Sequence, residues 1–210
     1  MFYRDPQHLY RVSELDSLPW LVHGFGTRLA DVPSLVDPLA TLKQIHSADC
    51  VDARGRSGIL GEGDALLEST PGHAVAVKTA DCIPILLIDE RNPAVAAVHA
   101  GWRGTVARIG PKALAAMRDR FGTTPGDVRA AIGPGIGECC YEVGPEVAAH
   151  FNRVGRVRID LAAENRRQLV DAGIPVVDVA GLCTRCNQEF HSFRRDQERA
   201  GRMYSFAGIR

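Results

Sequence analysis

With 210 residues, 45% of them hydrophobic and 24% charged, the chain can bury a sizeable core and has an ordinary globular composition. Its 25 basic and 25 acidic residues cancel, which excludes a global basic field for nucleic acid or an anionic membrane. No apolar run reaches the length of a membrane span, and the charges at Arg4, Asp5, Arg11, Glu14 and Asp16 break the pattern of a signal peptide. A cytoplasmic protein without nucleic-acid or membrane partners is expected. There the six Cys serve as thiols, ligands or nucleophiles rather than as disulfides. One local basic patch remains, at Phe193-Arg194-Arg195-Asp196.

In chain order, residues 20–28 predict a short strand ending in a Gly-rich turn, and 42–51 contain another strand. Gly61-Glu62-Gly63-Asp64 is a turn, and Ala65-Leu66-Leu67 leads away from it. Three apolar runs follow, over 74–77, 83–88 and 94–98. Each is too short for a typical helix and reads as a strand buried in a sheet. Pro84 is tolerated at the start of its strand, and residues 89–93 form a hairpin loop. From Thr105 to Phe121 the period changes to that of an amphipathic helix, with Pro111 kinking it or marking its true first turn and Gly122 capping it. Residues 128–132 predict a strand, 144–151 and 160–172 helices, and 176–179 and 203–209 late strands. Asp160 is the expected N-cap of the second helix and Gly173 its stop. No repeat or linker interrupts the chain, so one domain over 1–210 is expected. The mixture of hairpins and helices predicts an α+β fold, a mixed α/β/β/α-type sandwich, rather than alternating βαβ units.

Three residues on separate segments carry candidate chemistry. His46 lies in Gln44-Ile45-His46-Ser47, Cys82 in Thr79-Ala80-Asp81-Cys82, and His99 directly after Pro93–Val98. Convergence of the three would leave an open fourth position on a zinc ion. Two other readings stand beside that one at the level of residue types. The His residues are satisfied polar groups and Cys82 a core thiol, or Cys82 is a thiolate nucleophile paired with a His.

The motifs resemble those of the laccase-domain, or polyphenol oxidase, family of YfiH-like proteins. The residues concerned are Lys43-Gln44-Ile45-His46-Ser47, Gly63-Asp64-Ala65-Leu66, Thr79–Pro84, His99-Ala100-Gly101-Trp102-Arg103-Gly104-Thr105, Ile132–Gly137, Cys139–Val143, Cys183-Thr184 and Phe193–Asp196. The resemblance spans nearly the whole chain in order. It implies zinc held by His46, Cys82 and His99. It also implies phosphorolysis of adenosine, inosine, guanosine and methylthioadenosine, together with adenosine deamination. Small-molecule nucleosides and phosphate are then the partners. Separately from the resemblance, a monomer or weak homo-oligomer is expected. A peptidoglycan-editing amidase role, which a Cys82–His99 hydrolase would suit, is a further implication. Copper-dependent phenol oxidation, for which the family is named, would need several centres and many His ligands, whereas seven His with no His-X-His pair suit one zinc better.

Phosphorolysis needs a phosphate held by guanidinium groups, for which Arg103 and Arg28 are candidates. Each has a surface ion pair as its alternative. Asp81 either orients one of the His residues or acts as acid or base, and otherwise caps a turn. Gln44 and Ser47 flank His46 and are weaker substrate contacts. The His-X-Glu and Pro-Cys-X-X-Cys signature of nucleobase deaminases is absent, so deamination here would be an independent solution. Trp102 is a purine-stacking or packing residue. Cys183-Thr184-Arg185-Cys186 has no second CxxC, which argues against a structural zinc, so it and Cys139-Cys140 are expected to be structural thiols. Family members usually follow the Phe-X-Thr-Arg turn with Gly-Gly. Phe25-Gly26-Thr27-Arg28 is followed here by Leu29-Ala30-Asp31, which would alter substrate preference if that loop bordered the site.

Overall fold

Residues Ile83–Asp89 and Ala94–Ala100 are buried along their whole lengths, and the architecture explains why. The computed structural model describes residues 1–210. Its strands are β1 (Phe2–Arg4), β2 (Leu9–Val12), β3 (Leu21–Gly26), β4 (Leu39–Lys43), β5 (Cys50–Asp52), β6 (Gly58–Glu62), β7 (Ala65–Glu68), β8 (His73–Thr79), β9 (Ile83–Asp89), β10 (Ala94–Ala100), β11 (Val128–Ile132), β12 (Glu142–Val143), β13 (Val157–Arg158), β14 (Val176–Val179) and β15 (Met203–Ile209). The helices are α1 (Val32–Leu35), α2 (Trp102–Val106), α3 (Ile109–Phe121), α4 (Pro145–Ala148), α5 (Leu161–Asp171) and α6 (Phe193–Asp196).

A seven-stranded sheet, ordered β1-β2-β3-β15-β8-β4-β6, packs on a six-stranded sheet, ordered β14-β11-β9-β10-β7-β5. The two-residue period of a strand sends alternate side chains to opposite faces. On β9 and β10, Leu86, Ile88, Val95 and Ala97 enter the core between the sheets, where they meet Phe25, Leu42, Val75 and Val77. Ile83, Ile85, Leu87, Ala96 and Val98 enter a second core beneath α3 and α5, with Ala113, Leu114, Met117 and Leu169. Both faces are covered, so these strands read as continuous apolar runs rather than alternating ones. The outer face of the larger sheet carries only a small cluster of Leu9, Val32, Ala76 and Phe206, with α1 contributing one residue. The fold is the expected mixed sandwich, with its fourth layer reduced to that short helix.

The helix expected over 105–121 is two helices. Arg108 takes a left-handed backbone (φ 59°) between α2 and α3. Pro111 is the cause: its ring would strike the carbonyl four residues earlier in a continuous helix, but it fits the first turn of a new one. Gly122 closes α3 in the left-handed region (φ 74°). The Asp160 carboxylate caps α5 by accepting from the Ala163 amide at 2.8 Å. No helix is long and apolar enough to cross a membrane.

Candidate active site

On β10, Val95 and Ala97 face the other sheet, and alternation brings His99 to that same face at the strand's end. The turn from β8 to β9 delivers Cys82, with Asp81 held at φ 91°. The loop after β4 delivers His46, itself at φ 60°. Two non-glycine residues in sparsely populated backbone conformations persist only where the surroundings over-determine them.

For His46 the determining group is Asp64. Its fully buried carboxylate accepts the amides of Ile45 (3.3 Å), His46 (3.0 Å) and Ser47 (2.6 Å), and the Ser47 hydroxyl (2.8 Å). The same carboxylate lies 2.8 Å from His99 Nδ1. Asp64 therefore fixes the His46 loop and the His99 ring together, leaving Nε2 of His99 for other partners. The ligand atoms of His46, Cys82 and His99 lie within 4.8 Å of one another. Gly101 closes in behind them, where a Cβ would sit 3.0 Å from Cys82 Sγ and 3.2 Å from His46 Cδ2.

Burial would raise the Cys82 thiol, but hydrogen bonds to His46 and His99 outweigh it and hold the group at about 6. Burial likewise opposes charge on His99, and hydrogen bonds to Asp64 and Cys82 raise it to about 9. Burial also works against the Asp64 charge, but His99 and Ser47 hold its carboxyl at about 2. A thiolate beside two imidazoles is a soft, nucleophilic group and a good ligand for a zinc-like ion. The carboxylate behind His99 is the usual outer partner of a metal-bound imidazole. The donor set therefore fits a single ion.

In front of the cluster opens a cavity of about 620 Å³. Its lining includes Lys43, Lys78, Arg194 and Arg202 against one acidic residue, Asp81, with Tyr141 and Phe193 as aromatic walls. A cavity of that charge attracts an anion.

Of the residues singled out from sequence, His46, Cys82, His99, Asp81 and Gln44 line this cavity. Asp81 does not orient either histidine. Its carboxylate accepts from the Thr184 hydroxyl and the Arg194 amide, both at 2.6 Å, and so ties α6 to the turn that carries Cys82. The orienting carboxylate is Asp64, which the sequence marks by its place after the Gly63 turn and within the Gly63-Asp64-Ala65-Leu66 motif, without indicating that role. Gln44 makes paired hydrogen bonds to the Lys78 backbone at 2.7 and 2.8 Å, which clips its loop to β8. Ser47 is absorbed by Asp64 and does not line the cavity.

Arg103 and Arg28 lie outside the lining as well. Arg103 stacks over Trp102 at 4.4 Å, and Arg28 donates to the Gln188 carbonyl at 3.3 Å. The turn that departs from the Gly-Gly pattern thus packs against 188–189 instead of bordering the site. Trp102 packs against the helix-side core and His150. In 193–196 the roles divide: Arg194 lines the cavity with its guanidinium 5.4 Å over the Tyr141 ring and its Nη1 donating to the Glu142 carbonyl at 3.0 Å, while Arg195 donates to the Thr184 and Phe190 carbonyls and to Asp196. Cys139, Cys140, Cys183 and Cys186 form a second cluster of sulfurs, also within 4.8 Å of one another. The vicinal pair supplies what a second CxxC would have supplied, which removes the sequence argument against a metal there.

Fold and site together define a mixed α/β protein whose His₂Cys cluster faces a cationic cavity. A family model described as multi-copper polyphenol oxidoreductase laccase matches residues 22–210, and the chain belongs to that family. It is 41% identical over 183 residues to a purine nucleoside phosphorylase of Deinococcus radiodurans, covering 82% of this chain and 71% of that one. It is 39% identical over 200 residues to adenosine deaminase RL5 of an unknown prokaryotic organism, covering 83% and 75%. The crystal structure of Bacillus licheniformis hypothetical protein YfiH superposes with a TM-score of 0.91 at 26% identity, covering 100% of this chain and 99% of that one. The ligand groups form two clusters of metal-type side chains, one of two His and one Cys and one of four Cys.

Proposed function

We propose that residues 1–210 act as one zinc-dependent enzyme domain that phosphorolyses purine nucleosides and deaminates adenosine. The observation that carries this reading is the His46–Cys82–His99 cluster, braced by Asp64, at the mouth of a cationic cavity. Relatives named for both activities support it. A zinc ion held by His46, Cys82 and His99 would supply Lewis acidity and lower the pKa of a water toward neutrality.

In phosphorolysis the C1′–N9 bond breaks, a phosphate oxygen bonds to C1′, and the purine leaves with the electron pair and takes up a proton. On this reading the phosphate is held by Arg194 with Arg202, Lys78 and Lys43, a choice supported by their lining the cavity, which Arg103 and Arg28 do not. Tyr141 and Phe193 offer flat faces to a purine. Asp81 is a positioning residue for Arg194. In deamination a water oxygen adds at C6 and ammonia departs, with cavity residues excluding bulk water.

The test is His99→Ala. Bound zinc at this cluster and inosine formation from adenosine should both fall, the latter by more than about 100-fold, since loss of an outer partner alone costs 10–100-fold. Unchanged zinc and unchanged turnover would sink the assignment. The lowered Cys82 thiol favours one further reading, a Cys82–His99 hydrolase or amidase. Activity that survives exhaustive chelation would support it over the zinc enzyme. A polyphenol oxidase reading would require oxygen uptake that depends on stoichiometric copper.

A further inference from the structure

We infer that Cys139, Cys140, Cys183 and Cys186 form a second metal site, a closed tetrathiolate that holds one structural zinc ion and clamps the wall of the cavity. The sulfur spacing is the first argument. Cys139 and Cys140 Sγ are 3.7 Å apart, Cys139 and Cys186 3.7 Å, and Cys140 and Cys186 3.3 Å. Four sulfurs at about 2.3 Å from a tetrahedral zinc are separated by about 3.8 Å along each edge. Disulfide sulfurs would stand at about 2.05 Å. All four cysteines are free thiols. Two residues come from the loop after β11 and two from the loop before α6, so the convergence is long-range and not an accident of one turn.

The surroundings suit thiolates. The Gly137 amide donates to Cys183 Sγ at 3.3 Å, and Arg185 Nη1 donates to Cys140 Sγ at 3.4 Å. Gly137 gives the room for this approach, because a Cβ there would lie 3.2 Å from Cys183 Cβ and 3.3 Å from Cys139 Sγ. The backbones are already joined: Gly135 forms a parallel bridge with Cys183, and the Thr184 amide donates to the Gly135 carbonyl at 2.9 Å. Binding would convert four thiols to thiolates and release four protons to solvent. The resulting centre has a net charge of −2, which Arg185 partly offsets.

The position gives the site its consequence. One loop runs from Ile136 to Tyr141 and the other leads to Phe193 and Arg194, and all four of these residues line the cavity. Thr184, within the CxxC, holds Asp81. A metal at this point would fix the aromatic and cationic wall without touching the reacting atoms.

The test is metal analysis of the full chain expressed with zinc. His99→Ala should retain one zinc per chain, and adding Cys183→Ser and Cys186→Ser should take it to zero. As a check independent of how those variants fold, apo wild-type protein is titrated with cobalt(II). Thiolate-to-cobalt charge transfer of tetrathiolate intensity should appear, and it should persist in His99→Ala. Zinc content indifferent to the cysteine substitutions would overturn the proposal. So would metal-free native protein whose mass is lower by two hydrogens per cysteine pair. Because the tetrathiolate is read in a His99→Ala background, its failure is separable from failure of the catalytic reading.

Discussion

In each of the two clusters of soft side chains the ligand atoms lie within 4.8 Å of one another, yet the clusters differ in what lies behind and in front of those atoms. Behind His46, Cys82 and His99 stands a buried carboxylate that makes five contacts, and in front is a cavity of about 620 Å³. Cys139, Cys140, Cys183 and Cys186 supply four ligands themselves, backed only by an amide and a surface guanidinium. Three ligands beside open space leave a coordination position for chemistry, whereas four close the shell and leave a strut. The same residue types thus do different work according to ligand number and enclosure. The first cluster is built on sheet ends and strained turns, the second on loops.

The largest way to break this contrast is Asp64→Ala. It would leave three loop amides, the Ser47 hydroxyl and His99 Nδ1 without their acceptor. Removing one member of a buried charged pair typically costs about 3–5 kcal/mol. We expect a loss of that size in urea unfolding, together with loss of metal from the His₂Cys cluster and retention at the four cysteines. Equal loss from both clusters would mean that they are not independent.

Acid provides a second lever, because metal ligands must be deprotonated and, on the proposed readings, both clusters should release metal as pH falls. The frame carries its own acid limit at His23. This buried ring accepts the Val12 amide at 3.0 Å, and burial, aided by Arg11, lowers its pKa from 6.5 to about 4. The folded pKa lies below the unfolded one, so between them the unfolded chain binds more protons. The contribution is intact above about pH 6.5 and is lost as pH falls toward 4, by up to about 3 kcal/mol. Apo-protein stability measured from pH 7 to 4 should fall accordingly, and His23→Gln should flatten that slope. Metal release that precedes this loss then reports on the clusters and not on the frame.

Much of the frame was legible because its central strands are buried on both faces and bounded by turn residues. Short elements were not. β1, β12 and β13 contain two or three residues each, too few to show a period. β6 is largely exposed, so nothing apolar marks it. At the site, His46, Cys82 and His99 were legible through their motifs, but what positions them was not. Asp64 works through backbone amides of a loop distant in sequence, a contact no local pattern encodes. Arg103 sits in the most distinctive motif of the chain, yet it stacks on Trp102 and is not part of the cavity lining, while Arg194 lines it from a segment that reads as a salt-bridge node. The cysteine cluster was missed because two ligands adjacent in sequence do not look like half of a site.

The sharpest and smallest perturbation is Gly101→Ala. The backbone at 101 (φ −71°, ψ 177°) is open to alanine, so the change brings no conformational strain. What it brings is a methyl group at 3.0 Å from Cys82 Sγ and 3.2 Å from His46 Cδ2. Both ligands must move by a few tenths of an ångström, and overpacking of this kind costs on the order of 1 kcal/mol. Global stability should therefore fall only slightly. Metal affinity at the His₂Cys cluster should fall about tenfold, because ligand geometry is what the methyl group disturbs. The four cysteines lie on other loops and should keep their metal at full occupancy, as read by equilibrium dialysis against a graded chelator. A variant that loosened both sites equally would show that the clusters share one rigid unit, and the contrast between an open centre and a closed one would then be a difference of degree.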